Sequence, residues 1–135
     1  PRSNRRAAQA SNGRVILADA SVWVDHLRSP IPEFVELLNQ RRILGHVCVR
    51  GEIALGSISG RAERLTLLDE LPQADIADHV EVFDMIDRRA WWSRGIGFVD
   101  AQLLASALIT ASTKLWSRDK ALAKLANESG VAFVA

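Results

Sequence analysis

Three short apolar runs decide most of what this chain can become. Val15 to Ala18, Ile43 to Val49 and Thr113 to Ser117 are rich in β-branched and aliphatic residues and are separated by longer segments of helical character. Runs this short read as buried strands rather than helices. Val131 to Val134 reads as a last strand. Between them, helices are predicted over Ala20 to Leu27, stopped by Pro30, and from Pro32 onward with an apolar stripe of Phe34, Val35, Leu37 and Leu38. "GEIALGSISG" reads as helical, Gly60 as a break before a helix over Ala62 to Leu71, and Ile76, Val80, Phe83 and Ile86 as the apolar stripe of a helix reaching Ala90. Phe98 to Ala111 is apolar around nearly its whole circumference, which predicts a helix at the centre of the fold. Lys120 to Ser129 forms the last helix, ended by Gly130. Strands buried on both faces and alternating with helices predict an α/β fold with a short parallel sheet covered on both sides.

The 135 residues suit one domain, and 48% hydrophobic content is enough for a core without metal or disulfide staples. Residues 1–14, "PRSNRRAAQASNGR", lack apolar periodicity. They read as a disordered basic tail or a cloning remnant, with an RNA-binding arm as the alternative. The folded domain is then 15–135. The whole chain has 17 basic and 16 acidic residues; without the four tail arginines 13 basic residues remain, a balance of −3. Global charge therefore does not point to nucleic acid. Cys48 is the single cysteine, so no internal disulfide forms, and with no signal-peptide pattern the expectation is a cytoplasmic protein. No apolar run reaches the roughly 18 residues of a membrane span.

Parallel α/β sheets bind ligands beyond the carboxyl ends of their strands. Asp19 ends the first run, Asp119 follows the third in "LWSRDK", Asp100 lies in the first turn of the apolar helix, and Glu52 lies in "GEIALG". Singly, each acid has an ordinary explanation: Asp19 and Asp119 as helix caps, Asp100 as a partner of the helix dipole, Glu52 as a solvated side chain. Jointly, they would repel one another unless a divalent ion neutralised them. Hard oxygen donors without a Cys or His cluster suit Mg²⁺ or Mn²⁺ rather than zinc. Such an ion can hold a phosphodiester oxygen and activate a water for in-line attack. Asp25 lies about 9 Å further along the helix than Asp19 and is expected on its surface rather than at the same ion.

The blocks "ILADASVWVDHLR", "GEIALGS", "GIGFVDAQLLASAL" and "LWSRDKAL", in this order, resemble the PIN-domain ribonuclease toxins of the VapC type. The resemblance covers Val15 to Ala135. It implies a PIN-like three-layer α/β/α fold and a Mg²⁺- or Mn²⁺-dependent endoribonuclease that leaves a 5′-phosphate and a 3′-hydroxyl. It also implies a VapB-type antitoxin as partner and a homodimer. Matching the motif residue by residue, Asp19, Glu52, Asp100 and Asp119 become the catalytic and metal-binding acids, with Asp19 and Asp100 the foremost candidates for direct ligands and Glu52 and Asp119 binding directly, through water, or orienting the nucleophilic water. Ala20 stands where a hydroxyl residue is frequent and Gln102 where a His is frequent, which leaves Ser21 and Ser117 to orient ligands.

Arg94, Arg118 and Lys120 are candidates for RNA phosphate contacts. Trp91 and Trp92 are either base-stacking or packing residues, and Trp23 and Trp116 fall in packing patterns. His26, His46 and His79 show no metal-ligand spacing. Two rival classes exist: a receiver-like phospho-acceptor domain, which expects an adjacent acidic pair after the first strand, and a non-catalytic metal-dependent adhesion module of Asp-x-Ser-x-Ser type. The chain has only Asp19 in the first position and Trp23 in the last position of the second motif.

Overall fold

A computed structural model describes residues 14–134. The expected basic tail over 1–14 lies, apart from Arg14, outside the described residues. Three strands, β1 (Val15–Ala18), β2 (Ile43–Leu44) and β3 (Thr113–Trp116), form a parallel sheet in the order β2-β1-β3. The register pairs Ile16 with Ile43 on one edge of β1 and with Lys114 on the other. Every residue of β1 is buried, as expected for a central strand covered on both faces. Seven helices surround the sheet: α1 (Ala20–Arg28), α2 (Pro32–Asn39), α3 (Val47–Leu55), α4 (Arg61–Glu70), α5 (His79–Arg89), α6 (Phe98–Ile109) and α7 (Lys120–Glu128). The architecture is the three-layer α/β/α arrangement. Among the described residues no helix is long and apolar enough to cross a membrane.

The core runs from β1 into α6, where Leu103, Leu104, Ala105 and Ala107 are all buried. Their burial follows from the lack of any polar face on this helix. Phe34 of α2 packs edge-on against Trp23 of α1 at 4.7 Å between ring centroids.

Four elements depart from the sequence reading. The second strand stops at Leu44, not Val49, because the chain turns at Gly45 and His46 caps α3, which takes Val47 to Val49 into the helix. A side chain at Gly45 would collide with Gln73, whose backbone forms a bridge with Gly45. The last run, Val131 to Val134, makes only a single parallel bridge, Leu115 with Ala132. Helix α5 starts at His79 rather than Ile76, since Asp78 and Glu81 form a capping box. Its expected inward stripe also fails: Ile76, Val80 and Phe83 are exposed and Val82 is buried. The helical reading of "GEIALGSISG" holds only to Leu55, since Gly56 ends α3 in extended backbone and residues 56–60 lead into α4.

Leu104→Ala should lower stability by about 2–5 kcal/mol, the cost of an unfilled core cavity. Leu55→Ala, 90% exposed at the end of α3, should change it by less than about 0.5 kcal/mol. Urea denaturation of both variants checks the contrast.

Candidate active site

Asp19 sits where β1 ends. Its backbone N–H donates to the Trp116 carbonyl, continuing the β1–β3 ladder by one step, and its side chain caps α1 by accepting the Val22 N–H at 3.2 Å. It is 5% exposed, so a carboxylate here needs strong donors. Ser21 Oγ donates to Asp19 Oδ1 and Ser117 Oγ to Asp19 Oδ2, both at 2.5 Å. The same two hydroxyls accept the backbone N–H groups of Arg118 and Asp119 at 2.9 Å. One carboxylate is thus bound through two serines to the loop between β3 and α7.

Asp119 caps α7, accepting the Leu122 N–H at 2.9 Å. Asp100, in the first turn of α6, reaches back to the Gly97 N–H at 3.2 Å. Three of the four acids therefore make the local bonds that their ordinary explanations require. Those bonds do not explain why the acids perturb one another. Burial and the charges of Asp100 and Asp19 hold the Glu52 pKa above the usual carboxylate range. Burial, opposed by the bond from Gly97 and reinforced by Asp119 and Asp19, does the same for Asp100. Helix caps chosen independently would not converge in this way.

Of the candidate RNA-contacting cations, Arg118 and Lys120 flank Asp119 in the chain, whereas Arg94 reaches Glu128 at the other end of α7; two of the three are already paired. Arg118 Nε is 3.3 Å from Asp25 and its guanidinium lies over Trp116; Arg94 is 2.7 Å from Glu128. Lys120 is exposed at the start of α7. Asp25 is exposed on α1, where Arg118 is its partner. Trp23, Trp91 and Trp116 are buried, whereas Trp92 is exposed.

The PIN-domain family profile matches residues 16–128. Two curated relatives, both named Ribonuclease VapC32 and from Mycobacterium tuberculosis strains CDC 1551 / Oshkosh and ATCC 25618 / H37Rv, are each 45% identical over 118 residues. The aligned stretch covers 87% of this chain and 95% of each relative. The chain is a VapC-type PIN domain.

The receiver-like and adhesion-type readings are thereby set aside. PIN-domain nucleases as a class use divalent metals, so the fit of this PIN domain to such an ion matters. Among the described residues, no three His, Cys, Asp or Glu side chains are grouped tightly enough to hold an ion as they stand. The donor chemistry nevertheless fits: all four acids offer hard oxygens, and the repulsion that raises Glu52 and Asp100 is what a cation would relieve.

Sequence reasoning passed over His46. It is buried at the start of α3, where Nδ1 accepts the Cys48 N–H at 3.0 Å and Nε2 faces Ser106 Oγ at 2.9 Å. Burial lowers its pKa to about 4, so it is neutral at pH 7. Its spacing to the other histidines carries no signal; its place between a short strand and a helical run, where caps are found, does.

For Asp100 the folded-state pKa lies above the unfolded one, so ionisation costs stability above the folded pKa, and that cost vanishes below the unfolded pKa. Metal-free Asp100→Asn, which keeps an acceptor for Gly97, should therefore melt higher than the wild type at pH 7. The difference should disappear as the pH falls below about 4. Thermal melts across that range, each variant against wild type at the same pH, check it.

Proposed function

We propose that this PIN domain is the endoribonuclease toxin of a VapBC-type pair, hydrolysing RNA phosphodiester bonds with Mg²⁺ or Mn²⁺ at Asp19, Glu52, Asp100 and Asp119. The observation that carries the reading is the mutual influence of these acids: Asp19 ends β1 and Asp119 follows β3, burial and the charges of Asp119 and Asp19 raise Asp100, and burial and the charges of Asp100 and Asp19 raise Glu52. The 45% identity to ribonucleases over most of the chain supports it.

A divalent cation bound by these acids would neutralise them, hold a phosphate oxygen and acidify a bound water. Asp19 and Asp100 are its direct ligands in this reading. Ser21 and Ser117 hold the Asp19 carboxylate in one orientation by occupying one lone pair on each oxygen. In this reading Glu52, exposed and raised in pKa, would accept a proton from the attacking water. Arg118, Arg94 and Lys120 receive the RNA backbone; the surface ion pairs of the two arginines are weak enough to exchange for phosphate. A basic side chain from the antitoxin, laid among the same acids, would inhibit by the same electrostatics. In this reading the toxin works in the cytoplasm, where its RNA substrate is.

The homodimer belongs to this reading too, and the outward stripe of α5 supports it. Val80, 75% exposed, and Phe83, 53% exposed, stand beside a ring cluster of His79, Phe83 and Phe98. Helix α5 is acidic at its start, with Asp78 and Glu81, and basic at its end, with Arg88 and Arg89. A second copy related by a two-fold axis would set each acidic end against a basic one.

RNA should be cleaved by the purified protein in Mg²⁺ or Mn²⁺ and left intact once the ion is chelated, while Asp19→Asn and Asp100→Asn should be inactive yet folded. Cleavage undiminished by a chelator would sink the proposal. Sedimentation should give a dimer for the wild type and a folded monomer for Phe83→Glu; a Phe83→Glu dimer would move the interface elsewhere.

A further inference from the structure

Helices α3 and α6 touch along a line on which paired side chains mark the register. At one end His46 meets Ser106, Nε2 to Oγ at 2.9 Å. Next, Cys48 Sγ donates to Gln102 Oε1 at 3.0 Å. Further along, Glu52 lies four residues beyond Cys48 on α3 and Asp100 two residues before Gln102 on α6. As the numbers rise on α3, from 46 to 48 to 52, they fall on α6, from 106 to 102 to 100, so the helices run antiparallel.

The His46–Ser106 contact is the fixed end of this line. His46 is 2% exposed and Ser106 is fully buried, so neither group can exchange its partner for water. The bond from the Cys48 N–H to Nδ1 settles the tautomer, leaving the imidazole proton on Nε2 for the Ser106 oxygen. Six residues separate His46 from Glu52 on one helix and Asp100 from Ser106 on the other, a rise of about 9 Å each. A slip or rotation at the buried end is therefore transmitted along two stiff helices to the carboxylates.

We propose that the His46–Ser106 contact, supported by Cys48–Gln102, is a positioning device that sets Glu52 against Asp100 and so determines how tightly the acidic site holds its cation. His46 and Ser106 touch neither cation nor RNA; they act through the two acids. The inference rests on the nuclease reading, and its test uses Mn²⁺ alone, without RNA.

Ser106→Ala removes only the hydroxyl. His46→Asn keeps a capping acceptor for the Cys48 N–H but is too short to reach Ser106. Mn²⁺ affinity, read from the paramagnetic resonance of the free ion, is measured for both variants and for the double variant, beside metal-free melting. Each single variant should bind Mn²⁺ about tenfold more weakly, the low end of the loss seen when groups that orient ligands are removed. The double variant should be no worse than the poorer single one, since all three break one contact. Ser106→Thr keeps the hydroxyl and should keep wild-type affinity even where its extra methyl lowers the melting temperature. Melting that falls while Mn²⁺ affinity holds in Ser106→Ala would overturn the proposal, as would a tenfold loss in Ser106→Thr. Wild-type protein that bound no Mn²⁺ would overturn both this and the metal-dependent reading; Mn²⁺ binding without RNA cleavage would count against the nuclease alone.

Discussion

Like charge gathered at the end of a buried strand is the constraint on which the molecule turns. β1 is hydrogen-bonded on both edges and covered on both faces, so the residue that follows it has little freedom in where it points. In this chain that residue is an aspartate. Its burial could be relieved by a neutral side chain at no loss of packing, yet the fold supplies two serine hydroxyls and a backbone N–H instead. The other acids are then brought within its field. Such an arrangement spends stability on chemistry.

What opposes that repulsion is rigidity in the supporting layer. α6 is packed on nearly every side, and α3 is fastened to it by contacts that exclude water. The carboxylates cannot escape one another by moving their helices apart without breaking the core. The cluster is consequently held in place by apolar packing, while three of its members also bond the backbone of their own helix starts.

Much of this was legible in the residues. Alternating apolar runs and helices marked the parallel sheet, and the lack of a polar face on Phe98 to Ile109 marked the central helix, because both patterns have a fixed period tied to burial. The four acids stood out as charges at strand ends and helix starts. The stripe of Ile76, Val80 and Phe83 misled, since periodicity shows that a face is apolar and not what covers it. The second strand was read too long for a similar reason: β-branched valines at 47 and 49 suit a strand or a helix, and the deciding group was the His46 ring accepting a backbone N–H. Distances between acids, and the serine bridges to Asp19, depend on tertiary geometry that no local pattern encodes.

The two serines have one more consequence. Each donates its proton to Asp19 and receives an N–H from the loop that opens α7, so the strand end and the helix start share a single proton-ordered circuit. Reversing the sense of either hydroxyl would leave an N–H without an acceptor, so the circuit has one direction. Any change in the charge that Asp19 carries is then felt at the first turn of α7, where Asp119 stands. Acids from opposite ends of the chain are in this sense joined by one hydrogen-bonded path, and displacing either disturbs the bonds that hold the other.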